Sequence, residues 1–198
     1  MSMMNDMTMY EKYQAMNLDR SLLCLEQCDY QPDYFCYPEG AQPIGYEGSI
    51  MYCFLEDYGE MVFAVNPETC ADIYVYPLAR DFRDFLRLIL ACGTANPIEQ
   101  IVWMTKERFE QHVSDEAAMQ TSELTQTLER SAEELGLEAM DEPYDYVKTL
   151  QQEFDDSRIR YTDEYYDVLG IQWEGMEEEA DLDGRPTAEA SVCFVWEE

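Results

Sequence analysis

Any acid–base or nucleophilic chemistry in this chain must run through few side chains. His112 is the only histidine, so a Ser-His-Asp or Cys-His arrangement has to use it. It lies in a polar run of helical type, from Glu107 to Asp115, and no glycine-rich nucleophile turn occurs in the chain. That context favours a surface-helix histidine over a catalytic one. Cys24 and Cys28, followed by Cys36, raise the question of zinc. Structural zinc takes four Cys or His ligands in closely spaced pairs. Here the spacing is long, no second pair follows, and Cys24 and Cys28 fit neighbouring places on one helix face. Glu179, Asp181, Asp183 and Gly184 fall on loop positions 1, 3, 5 and 6 of a calcium hand. The closing position is Ala190, with Glu189 one residue short, and Pro186 interrupts the loop.

Carboxylate pairs such as Asp155-Asp156 and Asp163-Glu164 are plentiful, as 43 acidic residues make inevitable. Without a pocket and partner groups they do no acid–base work. Arg80, Arg83 and Arg87 sit beside Asp81 and Asp84, so surface ion pairs are a better reading than an anion site. Phosphate loops, dinucleotide glycine motifs and basic patches are missing from the sequence. The residue types point to a non-enzymatic protein with no cofactor and no metal.

The elements that position these residues can be read from punctuation and period. Residues 10–27 have helix-compatible spacing. Residues 29–45 carry three prolines and two glycines and predict a loop, with a short strand at Tyr34–Tyr37. Ile50–Leu55 is apolar on both faces, as in a covered strand. Glu56-Asp57-Tyr58-Gly59 supplies a turn into a partner strand, Glu60–Val65, and a third strand at Asp72–Tyr76 is ended by Pro77. Phe82, Phe85, Leu86, Ile89 and Leu90 share one helix face, and Gly93 caps that helix. Asn96-Pro97-x-Glu99 has the form of a helix start, with helix continuing to Val113 and a break near Met104-Thr105. Residues 114–135 favour helix, and Pro143 opens another through Phe154. Residues 158–162 and 166–173 read as strands, 175–190 as an acidic loop, and Ser191–Trp196 as a C-terminal strand. The core candidates are Ile50, Tyr52, Phe54, Met61, Phe63, Val65, Phe82, Phe85, Leu86, Ile89, Leu90, Ile101 and Trp103.

The composition bounds the class. A chain of 198 residues, 46% hydrophobic and 13% aromatic, can bury a substantial core. Its net charge is −31, and the excess is uneven: 18 acidic against 7 basic residues in 1–112, but 25 against 5 in 113–198. Such a field repels nucleic acid and anionic membrane and attracts basic surfaces. Solubility or salt adaptation would give the same composition. Seven cysteines cannot all pair within one chain, and most have apolar neighbours. Residues 1–14 have no basic start and no apolar run, and no window approaches a membrane span. These features suit a reducing, cytoplasmic setting.

The stretch from Ile44 to Thr69, with Val75-Tyr76-Pro77-Leu78-Ala79-Arg80-Asp81 leading into Phe82-Arg83-Asp84-Phe85-Leu86, resembles the SUKH superfamily of bacterial immunity and regulatory proteins. The resemblance spans about residues 20–112, and the acidic region 113–198 lies beyond it. It implies a hairpin, a further strand, and a helix whose Phe-x-x-Phe-Leu residues pack on the sheet. It also implies a toxin-neutralising role, and many toxins of this kind are nucleases. The expected fold is α+β, a mixed or mainly antiparallel sheet with helices packed on one side. A core at 1–112 and an acidic elaboration at 113–198 are expected to belong to one domain, the C-terminal strand joining the sheet.

The functional expectation is an acidic, protein-binding inhibitor of a basic partner. A nuclease presents a basic cleft to phosphates, onto which an acidic protein can steer, with aromatics as anchors. The residues expected to bind are Asp155, Asp156, Tyr161, Asp163, Glu164, Tyr165, Tyr166, Asp167, Glu177, Glu178, Glu179, Asp181 and Asp183. The alternatives are a DNA-mimicking decoy against a nucleic-acid-binding protein, which needs its acids on one extended face, and a non-catalytic scaffold.

Overall fold

A computed structural model describes residues 7–29, 33–69, 71 and 73–171. Among these the architecture is α+β. One antiparallel sheet runs in the order β1 (Gln42–Glu47), β2 (Ile50–Phe54), β3 (Val62–Val65) and β4 (Val75–Ala79). The helices are α1 (Met9–Ala15), α2 (Phe82–Cys92), α3 (Asn96–Gln100), α4 (Lys106–Met119), α5 (Ser122–Leu135), α6 (Pro143–Glu153) and α7 (Asp163–Leu169).

Alternation along the strands makes two cores. Tyr52, Val62, Ala64, Tyr76 and Leu78 face one side and pack with Tyr13 of α1, Phe82, Phe85 and Ile89 of α2, and Ile98 of α3. Leu137, Met140 and Val147, from the acidic second half, enter this same core. Met51, Cys53, Phe63 and Val65 face the other side, where Cys36, Tyr37, Leu55 and Ile159 cover them. Each fully buried side chain of this size contributes about 1.5–3 kcal/mol. Ile50, Phe54, Met61, Leu90 and Trp103 flank these cores half-buried.

Local chemistry sets the element ends. Asp81 caps α2, its carboxylate accepting the Asp84 amide at 2.8 Å, and Gly93 leaves the helix at φ 89°. Thr105 and Thr121 cap α4 and α5 in the same way.

Both outer edges of the sheet are occupied. Glu26 pairs with Tyr46 across the β1 edge, and Gln27 Nε2 donates to the Ile44 carbonyl at 2.8 Å. A Cβ on Gly45 would lie 2.8 Å from the Leu25 backbone, so only glycine admits this approach. At the other edge α6 packs along β4, and Gln151 Nε2 donates to the Pro77 carbonyl at 3.3 Å. These contacts cover part of each edge and limit further pairing there. The C-terminal strand expected at Ser191–Trp196 lies outside the described residues.

Several sequence expectations need correction. The helix expected over 10–27 ends at Ala15, and a 3-10 helix, Arg20–Leu23, follows because the Asp19 carboxylate caps the Ser21 amide. Cys24 then takes a left-handed conformation, φ 58°, so Cys24 and Cys28 do not share a helix face. No strand forms at Tyr34–Tyr37, while β1 forms within the expected loop. β1 is an outer strand with a bulge between Pro43 and Gly45, which is where a sheet tolerates such residues. For the same reason Pro77 lies inside β4 instead of ending it. Residues 158–162 are irregular, and Asp163–Leu169 is helix instead of strand. Acidic residues in its first turn and a left-handed Gly170 after its end favour that outcome.

Candidate interaction site

The chain leaving α6 returns across the second face of the sheet, and aromatic contacts hold it there. Phe154 packs against Phe63 and Tyr58, with ring centroids 5.4 and 5.2 Å apart. Tyr58 acts as a clasp. Its hydroxyl donates to the Asp155 carbonyl at 2.9 Å and accepts the Arg158 amide at 3.3 Å. The Arg158 guanidinium lies 4.5 Å above the Tyr58 ring. Asp155 closes the turn by accepting the Ser157 amide at 3.0 Å. Hydrogen bonds from the Ser157 hydroxyl and amide hold the Asp155 carboxyl below its usual range. Arg160 is drawn toward Glu56 and Asp57, at 3.7 and 3.4 Å.

Beyond Arg160 the tyrosines assemble. Tyr161 stacks on Tyr165, centroids 3.8 Å apart and planes 9° apart. Tyr166 meets Tyr165 edge-on at 5.4 Å. Tyr165 continues to Phe35 at 6.2 Å and to Tyr74 at 6.4 Å. Burial, more than any neighbouring charge, pushes the pKa of Tyr161 and Tyr165 above the usual phenol value, so both phenols are neutral at ordinary pH.

The sequence expectation therefore divides. Tyr161, Tyr165 and Tyr166 are brought together, but half-buried, with part of the surface of Tyr161 and Tyr165 spent on sealing the sheet. Asp155, Asp156, Asp163, Glu164 and Asp167 are all exposed around them. Among the described residues none of Asp156, Asp163, Glu164 and Asp167 forms an ion pair. Glu177, Glu178, Glu179, Asp181 and Asp183, and with them the calcium-like loop, lie outside the described residues. The sequence reading missed Val168 and Ile171, which are 56% and 49% exposed beside the acids. Their signal was present: Val168 follows Tyr165 by three positions and was assigned to a strand.

Most of the described cations have local partners. Arg80 pairs with Glu153, Arg87 with Asp84, Lys106 with Asp145 and Glu142, and Arg130 with Glu134. Arg83 donates to the Gly136 carbonyl and Lys148 to the Val102 carbonyl. Arg20 and Arg108 lie over the rings of Tyr13 and Trp103. The exposed acids therefore dominate the electrostatics.

A second polar cluster sits inside the fold. Glu99 of α3 is 2% exposed, accepts Asn66 Nδ2 at 2.7 Å and also accepts the Tyr76 hydroxyl. Asn96 does not cap α3, whose capping position is Ala95. It donates instead to Glu47 at 2.8 Å, and Tyr52 donates to the same carboxylate at 3.2 Å. Burial pushes the Glu47 carboxyl up, against the hydrogen bonds of Asn96 and Tyr52. The cluster ties α3 to the strands. Among the described residues, His112 Nε2 lies 3.4 Å from Gln100 Nε2.

The described cysteines, Cys24, Cys28, Cys36, Cys53 and Cys92, are free thiols. Burial pushes Cys24 and Cys36 up to about 11 and Cys92 up to about 12, which opposes thiolate chemistry. Among the described residues no group of three His, Cys, Asp or Glu side chains could hold a metal ion. No helix among them is long and apolar enough to cross a membrane. Comparison with protein-family models, with curated proteins and with solved structures finds no match for this chain.

Proposed function

We propose that this protein is a non-catalytic, acidic inhibitor that binds a basic protein, of the kind a nuclease toxin presents. The observation that carries the reading is the face built by residues 155–171. There a tyrosine cluster, two exposed aliphatic side chains and exposed carboxylates share one stretch of chain, and among the described residues Asp156, Asp163, Glu164 and Asp167 form no ion pair. Unpaired acids steer a basic cleft inward, and apolar and aromatic groups at the centre give the contact its lifetime. The SUKH resemblance of residues 20–112 belongs to the same reading, as does the toxin class it implies.

The described acids are distributed over α1, the Glu56–Tyr58 turn, α4, α5, α6 and α7. That spread favours protein inhibition over imitation of a single row of phosphates. The test is stoichiometric inhibition. A basic nuclease recovered on the immobilised chain at low salt is assayed with and without equimolar protein. The reading expects complete loss of cleavage with the natural chain and recovery of cleavage with Asp163→Lys/Glu164→Lys. Unchanged cleavage in the presence of bound natural chain overturns it.

A further inference from the structure

α4 and α5 are joined by Gln120 and Thr121 alone, a connection that ordinarily lays two helices side by side. Here they diverge. α4 packs on α3, α5 packs on α1 and on the Arg20–Leu23 turn, and the two scarcely touch. The wedge left between them is a cavity of about 250 Å³, floored by the end of α2. Leu90, Cys92, Val113, Ala117, Leu124 and Leu128 give it an apolar lining. Glu116 and Glu129 form its rim, and no Lys or Arg lines it.

From this we infer that the α2–α4–α5 wedge is a docking groove for a basic amphipathic helix of another protein. The volume admits anchoring side chains, and the rim selects the charge of the helix that carries them. Charge excludes the nearer occupants. A second copy of this chain would bring a surface of net −31 protein against the acidic rim. Residues 172–198 of the same chain carry nine acidic residues and a single Arg185, so they offer the acidic rim little complementary charge. Like charges brought together at a contact are unfavourable, whereas Lys or Arg flanking a leucine face complements both floor and rim. The groove shares no residue with the face on α7, and it stands whether or not the inhibitor reading does.

The test uses the full chain and a fluorescein-labelled Leu/Lys peptide of about 18 residues, with leucines at i, i+3, i+4 and i+7. Binding is read by fluorescence anisotropy. A scrambled peptide of equal composition and a Leu/Glu peptide serve as controls. The groove predicts binding of the amphipathic cationic peptide alone. It predicts a loss of about tenfold or more with Ala117→Trp, which fills the wedge from an exposed position, and with Glu116→Lys/Glu129→Lys. Asp163→Lys/Glu164→Lys should leave this binding within about twofold, since those residues lie elsewhere. Equal binding of the scrambled peptide, preservation of binding in Ala117→Trp, or a loss confined to the α7 variant would each overturn the inference. So would no binding at all, or a concentration-dependent dimer that Ala117→Trp abolishes.

Discussion

The ring of Tyr161 lies flat on the ring of Tyr165, 3.8 Å away, with planes 9° apart. This stack joins the exposed acids to the fold, because Tyr165 also reaches Phe35 and Tyr74 on the second face of the sheet. Removing it should therefore cost stability as well as binding. Tyr165→Ala is expected to destabilise by about 2–3 kcal/mol, somewhat less than a fully buried aromatic. Tyr165→Phe should cost under about 1 kcal/mol. Urea unfolding checks both, and equal losses for the two variants would contradict the packing role.

Glu99 is held as an acceptor inside the core. Glu99→Ala removes the acceptor shared by Asn66 Nδ2 and the Tyr76 hydroxyl, and should cost about 2–4 kcal/mol. Glu99→Gln keeps an acceptor oxygen and should cost clearly less. The difference between their denaturation midpoints measures the value of the acceptor.

Glu47 sets a pH dependence of known sign. Its carboxyl is raised in the folded state from an ordinary 4.5, chiefly by burial, with Asn96, Tyr52, Cys24 and Glu99 facing it. Above 4.5 the unfolded chain gives up this proton first, so the native state binds more protons. The stability contribution is full below that value and is lost as pH rises through the raised folded value. Glu47→Gln should remove this decline, flattening the stability curve on the alkaline side of 4.5. An identical slope in variant and natural chain would show that Glu47 is not its source.

Gly45 admits the Leu25 backbone at a distance where a Cβ would stand 2.8 Å from it. Gly45→Ala should cost about 1–3 kcal/mol, by forcing apart β1 and the Glu26 pairing. Amide exchange at Glu26 and Tyr46, whose amides pair across this edge, should accelerate more than exchange in β3.

Much of the scaffold was legible because its signals are local. The continuous apolar run of β2, the face of α2 built from Phe82, Phe85, Leu86 and Ile89, and the proline opening α6 each identify an element without tertiary information. The failures share a cause. Pro43, Gly45 and Pro77 read as breakers, yet each lies in an outer strand, and sheet order is set by long-range pairing. Glu99 read as part of a helix start because nothing local announces that Asn66 and Tyr76 will converge on it. At the site, acids and tyrosines were legible as composition. Which tyrosines would be spent on the sheet, and that Val168 would face outward, depended on α7 being a helix.

The most direct measurement is the association rate of a purified basic nuclease with the natural chain and with Asp163→Lys/Glu164→Lys, across a salt series. The account predicts fast association that falls steeply with added salt. For the variant it predicts a lower rate with a shallower salt dependence, and weaker inhibition of cleavage. Equal rates and equal inhibition by both proteins would contradict the claim that the acid-ringed tyrosine face binds the partner.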